Sequence, residues 1–217
     1  MRSSRRTRLL VSLLLLAGAL SGGCRSTAHR AVDEKVANAG LNLAPVVFPV
    51  KLPPQDGFTQ SVFQAGPVFI AGQPSEAALE RMVHEGVTLV VNVRTPEEMD
   101  DRKRVPFDEV EVMKRLKVDY LFLPMGGASA DMYPYTPEAV DKFAAALASH
   151  KDGKVLLHCQ VGWRVSHVWA AYLVRCRGFT REEAMRHGKA MLLTELPFEG
   201  LAGLKAEYVP AVGKGKK

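Results

Sequence analysis

The 217-residue chain contains only three cysteines, Cys24, Cys159 and Cys176. This number is too small for the framework of several disulfide bonds that stabilises many small secreted domains. The chain also contains no internal repeat, which excludes a fold built from stacked repeating units. Each cysteine therefore has to be interpreted from its own surroundings in the sequence.

Acidic residues are absent from the first 30 positions, and this absence explains the net charge of +6. Those positions hold six arginines, whereas residues 31–217 contain 23 basic and 23 acidic side chains. Apart from the short tail Lys214–Lys217, this larger part has no basic cluster. Because a nucleic-acid-binding domain carries a basic patch on its folded surface, we predict that the protein has no nucleic-acid partner.

No apolar run is long enough for a membrane-spanning helix, which needs about 20 residues. The run Leu9–Leu20 is shorter; it follows several arginines and precedes the small residues Ser21–Gly23. A positive segment, a short apolar segment and small residues in this order are typical of a secretory signal. We therefore predict that residues 1–23 are a signal peptide and that the mature protein is exported to the periplasm or cell envelope.

The position of Cys24 directly after small residues resembles the bacterial lipoprotein box, in which the cysteine receives a lipid and becomes the mature N-terminus. This resemblance implies that Cys24 is lipidated and that the lipid anchors the protein to a membrane. The proline-containing residues 24–57 would then be a tether between the lipid and the folded domain. Cleavage near Cys24 without a lipid and an uncleaved anchor remain as alternatives.

Residues 58–210 have the size of one domain and are followed by a basic, flexible tail at residues 211–217. Capping boxes that begin at Thr95 and Thr180 mark two helix starts. Strands are predicted at 68–71, 88–93, 120–123 and 155–157, with a fifth at 46–48. Helices are predicted at 75–85, 107–116 and 136–149. Another is predicted after Arg164, and a further one begins at residue 181. The alternation predicts an α/β fold, a three-layer sandwich with a mainly parallel central sheet of four to five strands flanked by helices.

The segment His158–Arg164 connects a predicted buried strand to an amphipathic helix. Binding sites in open α/β sheets lie beyond the carboxyl ends of the strands, and the backbone N–H groups at a helix N-terminus attract anions. Cys159 occupies this position, where the helix dipole favours a thiolate nucleophile. Arg164 supplies a guanidinium fork that fits two oxygens of a phosphate. The predicted phosphate cradle consists of Gln160, Val161, Gly162, Trp163 and Arg164.

This segment resembles the signature of the protein-tyrosine/dual-specificity phosphatase superfamily, in which His-Cys is followed by a short loop and Arg. Other segments in the same order are similar to its bacterial DUF442 branch, the beta-lactamase-hydrolase-like phosphatases. The similarity covers about residues 66–190 and includes Ala71–Pro74, Val91–Arg94, Pro124, Thr136–Glu138 and Gly178–Ala184. It implies hydrolysis of phosphomonoesters through a phosphocysteine intermediate, without a metal or cofactor. The substrate would be a phosphorylated protein or a small phosphoester.

Two features depart from the most common pattern of the superfamily. Four residues separate Cys159 from Arg164, as in the DUF442 branch, whereas most members have five. The position after the arginine, where a Ser or Thr hydroxyl often helps the thiolate to leave, is Val165, and Ser166 follows it. These departures predict weak activity or an unusual substrate, with Ser166 as the candidate supporting hydroxyl.

The resemblance also implies a general acid, an Asp on a loop upstream of the nucleophile. Asp131 lies 28 positions before Cys159, within the predicted loop 124–135. Its role would be to protonate the leaving oxygen and then to activate the water that hydrolyses phosphocysteine. A solvated loop acid without a catalytic role is the alternative interpretation of Asp131.

Several other polar residues have structural interpretations. His158 is expected to orient the loop through a hydrogen bond, and Arg94 to form an ion pair with Glu97 or Glu98. Trp163 either flanks the substrate or covers the helix start. Cys176 lies more than three helical turns from the loop, about 16 Å away, and is predicted to be a core residue. That separation argues against a Cys159–Cys176 disulfide and against a metal site shared by the two cysteines.

Two other functions remain open from the sequence. A rhodanese-like sulfurtransferase also has a six-residue loop from Cys to Arg, and Val91–Glu98 resembles a rhodanese strand and turn. Asn92, however, replaces the usual Asp of rhodaneses. A lipoprotein that binds phosphate without catalysis is the third candidate, which the Val165 departure keeps open. The leading prediction is a cysteine-dependent phosphatase.

Overall fold

The computed structural model describes residues 45–126, 131–192 and 201–203. These residues form a six-stranded sheet with the order β1-β2-β3-β6-β4-β5. The strands are β1 (Val50–Lys51), β2 (Phe63–Ala65), β3 (Val68–Ala71), β4 (Val87–Asn92), β5 (Asp119–Phe122) and β6 (Lys154–His158). The predicted signal peptide, the lipidation site Cys24 and the basic tail lie outside the described residues.

The sheet is mainly parallel, as predicted. Strands β3, β6, β4 and β5 run parallel, while β2 pairs antiparallel with β3, and β1 pairs antiparallel with β2. The sheet has six strands rather than four to five, because the short hairpin β1–β2 extends one edge. The predicted strand at 46–48 is wrong: these residues are coil, and β1 begins at Val50. Strands of two and three residues are too short to produce a readable alternation.

Helices cover both faces of the sheet. They are α1 (Glu76–His84), α2 (Pro96–Asp100), α3 (Glu109–Leu116), α4 (Pro137–Ser149), α5 (Trp163–Arg177) and α6 (Arg181–Lys189). Both predicted capping boxes are confirmed, at Thr95 for α2 and at Thr180 for α6. Each threonine hydroxyl accepts a hydrogen bond from the third helical amide, and the glutamate there accepts one from the threonine amide. These bonds satisfy amides that would otherwise lack partners at the helix start.

Two hydrophobic cores separate the three layers. Leu157 on β6 belongs to the core that contains Phe143 of α4 and Trp169 of α5. Its neighbour Leu156 belongs to the opposite core, which contains Leu79 of α1 and residues of α3. Successive strand residues point to opposite faces, so a strand with apolar residues at every position serves both cores. The predicted three-layer sandwich is therefore confirmed.

Helix α5 is buried more completely than the predicted single apolar stripe. Every residue from Arg164 to Val174 is buried, because α5 packs against β3, α4 and α6 together. In the same ranges of the chain, no helix is long and apolar enough to cross a membrane. The burial of α5 fixes the position of the loop that precedes it.

The central strands end level with one another at their carboxyl ends. Ala71 of β3 and Asn92 of β4 both pair with His158 of β6. The segments that follow these three strands therefore meet at one edge of the sheet. Cys159 is the first residue beyond β6 at that edge.

Candidate active site

The loop between β6 and α5 is held by the segment that follows β3. The amide of Gln73 donates to the carbonyl of Gln160 at 3.0 Å, and Gly72 pairs with Val161 in an antiparallel bridge. A Cβ on Gly72 would lie only 3.0 Å from the carbonyl oxygen of Gln160. A side chain at position 72 would therefore displace the loop, which accounts for the glycine in the segment Ala71–Pro74.

Cys159 is a buried free thiol at the start of this loop. The amide of Gly162 donates a hydrogen bond to its Sγ at 3.2 Å. Gly162 caps α5 with a φ of 89°, in the left-handed region that favours glycine. A Cβ there would also lie 3.0 Å from Cδ1 of Leu192. The sulfur thus accepts from an amide at the N-terminus of a 15-residue helix, where negative charge is stabilised.

Arg164 is buried beside this loop and is held by three groups. Its Nη1 donates to Oε2 of Glu98 at 2.8 Å and to the carbonyl of Met125 at 2.9 Å, with a longer contact to the carbonyl of Val93. Its Nη2 donates to Oε1 of Glu98 at 2.6 Å. Burial lowers the pKa of Arg164, but the bonds to Glu98 and the nearby sulfur of Cys159 outweigh it, so the net pKa is raised.

The bonds to Glu98 leave one edge of the Arg164 guanidinium available. A guanidinium has five N–H groups in a fixed fork, and Glu98 occupies the end formed by Nη1 and Nη2. The opposite edge is formed by the N–H of Nε and by the second N–H of Nη2, on the Nε side, which is here called the outer N–H. Among the described residues, none accepts a hydrogen bond from either of these groups. These two N–H groups point the same way and can bind two oxygens of one tetrahedral anion.

Glu98 was not among the site residues predicted from the sequence. Its Oε2 closes the capping box by accepting from the amide of Thr95 at 2.9 Å, and the same oxygen accepts from Arg164. Burial raises the pKa of Glu98, but its bonds with Arg164 and Thr95 outweigh burial, and the net pKa is lowered. The sequence signal was the capping box, which was interpreted only as a helix start.

Arg94 does not form the predicted ion pair with the carboxylate of Glu97 or Glu98. Its Nη2 instead donates to the main-chain carbonyl of Glu98 at 2.9 Å, and its Nη1 donates to Oε1 of Gln73 at 2.8 Å. The carboxylate of Glu98 is engaged by Arg164 instead. Arg94 is 1 % exposed, and its Nε has no partner among the described residues. Burial lowers the pKa of Arg94 more than the nearby Glu98 raises it.

A buried carboxylate lies behind the nucleophile. Oε1 of Glu109, at the start of α3, is 2.8 Å from Nε2 of His158 and accepts from Nδ2 of Asn92 at 3.2 Å. Its Oε2 accepts from Nε2 of Gln73 at 2.9 Å. Burial raises the pKa of Glu109, but the imidazole of His158 and the donated hydrogen bonds outweigh it, so the net pKa is lowered. His158 therefore has the hydrogen-bond partner that its predicted orienting role needs.

The hydroxyl of Ser166, the candidate supporting group, forms hydrogen bonds with the backbone of Gly162 and of Leu192. It donates to the carbonyl of Gly162 at 2.8 Å and accepts from the amide of Leu192 at 3.3 Å. It forms no hydrogen bond to Cys159 among the described residues. Val165 is buried in the core. The ring of Trp163 packs on His167, with 4.3 Å between the ring centroids.

The candidate general acid, Asp131, is exposed. No hydrogen bond or ion pair joins it to Cys159 or Arg164 within the described ranges. A different residue of the same segment, Tyr135, lies close enough to Arg164 and Cys159 for their charges to act on its pKa. Tyr135 was missed by the sequence interpretation because a tyrosine in a loop has no local pattern that marks it.

The two remaining cysteine predictions concern disulfides and metals. Cys159 is a free thiol, so it forms no disulfide with Cys176, as predicted. Cys176 packs against the main core. Across the ranges that the structure describes, no group of three or more His, Cys, Asp or Glu side chains is placed to hold a metal ion.

A sheet of this order, with a Cys-to-Arg loop between its central strand and a buried helix, defines the class of cysteine-phosphatase folds. Residues 45–198 match the family model described as DSP-PTPase phosphatase fused to NAD+ kinase. The chain therefore belongs to this family, within the protein-tyrosine/dual-specificity phosphatase superfamily that the sequence resembles. It is a phosphoric monoester hydrolase of the protein-tyrosine-phosphatase type.

Two solved structures, PTPMT1 and Tk-PTP, have the same fold. PTPMT1 in complex with PI(5)P is 19% identical, with a TM-score of 0.52 over 63% of this chain and 88% of that chain. Tk-PTP in its active form is 19% identical, with a TM-score of 0.50 over 64% of this chain and 92% of that chain. A putative phosphatase (DUF442) from Shewanella putrefaciens CN-32 is 23% identical, with a TM-score of 0.43 over 60% of this chain and 76% of that chain. No curated protein matches the chain.

Proposed function

We propose that this phosphatase uses Cys159 as its nucleophile and hydrolyses phosphomonoesters through a phosphocysteine intermediate. The observation that carries the proposal is the bond from the Gly162 amide to Sγ of Cys159 at the N-terminus of α5. The sulfur lies where an amide and a helix N-terminus are directed at it, and a cysteine sulfur is the nucleophile that attacks phosphorus in this mechanism. The available edge of Arg164 lies beside the same loop.

The reaction proceeds in two displacements at phosphorus. In the first, the thiolate of Cys159 forms the S–P bond while the bond between phosphorus and the leaving oxygen breaks, and that oxygen takes a proton from an acid. In the second, water attacks phosphorus, the P–S bond breaks, and the proton of the water returns to the same group. The products are the alcohol and inorganic phosphate, and the thiolate is regenerated. Neither displacement needs a metal or a cofactor.

Arg164 binds the transferring group through Nε and the outer N–H of Nη2. Glu98 holds the opposite end of the guanidinium with two bonds of 2.8 and 2.6 Å. This arrangement orients the fork before the substrate arrives, so that little ordering remains to be done in the transition state. The amides of Gln160, Val161, Gly162 and Trp163 complete the proposed cradle, as the resemblance implies. His158, held by Glu109, fixes the end of β6 beneath it.

Asp131 is the proposed general acid. It lies in the segment between β5 and α4, upstream of the nucleophile, where the resemblance places this group. Its exposure is compatible with protonation of a leaving group that faces solvent. A carboxylic acid in this position provides the proton of the first displacement and accepts the proton of the second.

The substrate class proposed is a phosphorylated protein or a small phosphoester. The predicted cradle Gln160–Trp163 contains no lysine or arginine, so Arg164 is its cation. A site with one cation suits a substrate with a single phosphate group. A phosphoinositide is the ligand of one structural neighbour, PTPMT1, which was solved in complex with PI(5)P.

Two alternatives are separated from this proposal by chemistry. A sulfurtransferase would carry a persulfide on Cys159 after treatment with thiosulfate and would pass the sulfur to cyanide. A phosphate-binding protein without catalysis is favoured by one observation: Val165 replaces the hydroxyl residue after Arg164, and the hydroxyl of Ser166 is engaged by Gly162. Membership of the phosphatase family supports hydrolysis over both alternatives.

The proposal is tested by assaying the purified protein with an aryl phosphate and with thiosulfate and cyanide side by side. We expect metal-independent hydrolysis that vanadate inhibits, since vanadate mimics a five-coordinate phosphorus. Cys159→Ser should abolish turnover while phosphate binding persists, and Arg164→Lys should be severely impaired because an ammonium cannot form two parallel bonds. Sulfur transfer without hydrolysis would establish the sulfurtransferase, and inactivity in both assays would establish the binding protein.

The proposed location is the cell envelope, with a lipid on Cys24 that anchors the protein to a membrane. The proposal depends on the arginines, the apolar run and the small residues that precede Cys24. Metabolic labelling with a fatty acid should label the wild-type protein but not Cys24→Ala. An unlabelled protein found free in the periplasm would contradict lipidation and leave export intact.

A further inference from the structure

The segment after β5 brings a phenol hydroxyl to the edge of the candidate active site. The amide of Gly126 donates to the carbonyl of Tyr133 at 2.7 Å, which folds residues 131–135 back over the end of β5. Tyr135 then lies across Gly126 so closely that a Cβ on Gly126 would overlap the hydroxyl oxygen. Gly126 has a φ of 68°, which also favours glycine there.

This contact places the hydroxyl of Tyr135 near the guanidinium of Arg164. The carbonyl of Met125, which immediately precedes Gly126, accepts the hydrogen bond from Nη1 of Arg164 at 2.9 Å. One peptide unit therefore has Arg164 bound at its oxygen and Tyr135 packed at its following Cα. The ring of Tyr135 packs on the core that includes Cys159, so the tyrosine is anchored on its apolar side.

The hydroxyl of Tyr135 is a hydrogen-bond donor without a partner. It forms no hydrogen bond to any described residue, and the side chain is half-buried. Burial raises the pKa of Tyr135; the charge of Arg164 opposes this, while Cys159 and Glu98 add to it. The phenol therefore stays protonated at neutral pH. A donor that has no partner within the protein can bond to an acceptor that a ligand supplies.

We propose that Tyr135 is a substrate-binding residue that donates a hydrogen bond to a non-bridging oxygen of the phosphoryl group. This inference rests on the proposed phosphatase function and adds a neutral donor to the charged fork of Arg164. Arg164 and Tyr135 are fixed by the two ends of the Met125–Gly126 peptide, so they approach the anion as a unit. Gly126 is required because any side chain there would move the hydroxyl away.

Donation to a non-bridging oxygen differs from general acid catalysis in what it predicts. A donor to a non-bridging oxygen stabilises the phosphoryl group itself, so its effect is independent of the leaving group. A general acid matters most when the leaving group is a poor one, because a good leaving group departs without a proton. A phenol whose pKa is raised releases its proton less readily than a carboxylic acid. The two roles are therefore assigned to different residues of this segment, Tyr135 and Asp131.

The test compares Tyr135→Phe with Tyr133→Phe in the full chain. Tyr135→Phe keeps the ring on the core and removes only the hydroxyl, and it should lower kcat/KM about 10- to 100-fold. The loss should be the same for nitrophenyl phosphate and for an alkyl phosphate, and vanadate inhibition should weaken by a similar factor. Tyr133→Phe should leave all three values unchanged, because Tyr133 contributes its backbone carbonyl. Thermal unfolding of each variant checks that it is folded.

A second readout does not depend on turnover. Inorganic phosphate binding is measured by calorimetry in Cys159→Ser and in Cys159→Ser with Tyr135→Phe, and the second protein should bind about 10-fold more weakly. Gly126→Ala should reproduce this loss by displacing the hydroxyl. If the wild type hydrolyses no phosphoester, the proposed function is wrong. The phosphate affinities of the two Cys159→Ser proteins then still test whether Tyr135 binds the phosphoryl group. Equal phosphate affinities, or a loss of activity confined to the alkyl phosphate, would overturn the inference.

Discussion

Glu109 and His158 are 49 residues apart in the chain, yet Oε1 of Glu109 lies 2.8 Å from Nε2 of His158 with both side chains buried. His158 immediately precedes the proposed nucleophile, and Glu109 begins α3 in the opposite layer of the sandwich. The pair therefore joins the end of the central strand to α3. Gln73 and Asn92 also donate hydrogen bonds to the same carboxylate.

Glu109→Gln should destabilise the fold by about 3 kcal/mol, because an amide cannot accept from all the donors that surround this carboxylate. Unfolding by chemical denaturant at neutral pH measures the change. Glu111→Gln on the same helix is the matched control, since Glu111 is exposed and pairs with Lys114 on the surface. Its effect should stay below about 0.5 kcal/mol. Equal effects of the two substitutions would show that the buried pair contributes little.

Glu98 should make the stability of the protein sensitive to acid. Folding lowers its pKa below the ordinary value of 4.5, so the folded state binds fewer protons than the unfolded state. The stabilisation from this group is complete above pH 4.5 and is lost as the pH falls through the lower folded value. Glu98→Gln should therefore be less stable than the wild type at neutral pH and should lose less stability on acidification.

The corresponding measurement is the free energy of unfolding of both proteins between pH 3 and pH 7. Asp100→Asn is the control, because Asp100 is exposed on the same short helix. Its stability curve should follow that of the wild type. A Glu98→Gln curve parallel to the wild-type curve would contradict the assigned coupling between Glu98 and Arg164.

Gly162→Ala should impair catalysis by turning the amide away from Sγ of Cys159. The left-handed backbone of an alanine costs about 1–2 kcal/mol, and its Cβ would press on Leu192. Gly178→Ala is the matched control, since Gly178 ends the same helix with a φ of 80°. Both variants should lose similar stability, but only Gly162→Ala should lose activity, about 10-fold or more. Loss of activity in both would indicate a global effect.

Asp131→Asn should slow hydrolysis of an alkyl phosphate about 100-fold, because the leaving alkoxide then departs without a proton. Nitrophenyl phosphate has a good leaving group and should be affected much less. Asp152→Asn, an exposed acid before β6, is the control and should hydrolyse both substrates at the wild-type rate. If the two substrates respond equally to Asp131→Asn, the general acid is another residue.

Local patterns were sufficient to predict most of the fold. The buried strands β4 and β6, both capping boxes and the strand–loop–helix around Cys159 each have a signature within a few neighbouring residues. The partners of the site residues have no such signature. Glu109 is simply an acid in the first turn of a helix until α3 packs on the sheet and brings it to His158. The bond between Glu98 and Arg164 was not predicted for a different reason: the capping box already accounted for a glutamate at this position.

The prediction for Arg94 failed for a related reason. Its nearest carboxylates in sequence, Glu97 and Glu98, were the obvious candidates for an ion pair. Arg164, 70 positions away, competes for the carboxylate of Glu98 and forms two bonds with it. Competition between two arginines for one acid is decided by tertiary packing, which a sequence pattern cannot express.

The shared use of Glu98 couples the folding of α2 to the shape of the phosphate-binding fork. The same carboxylate oxygen that accepts from the Thr95 amide also accepts from Arg164. Helix α2 has five residues and none of them is buried, so its first turn opens more readily than the core does. Each opening removes the two Glu98 bonds and leaves the guanidinium held by the Met125 and Val93 carbonyls alone. The orientation of Arg164 therefore depends on the local stability of this one turn, and solvent conditions that fray it would lower activity well before the protein unfolds.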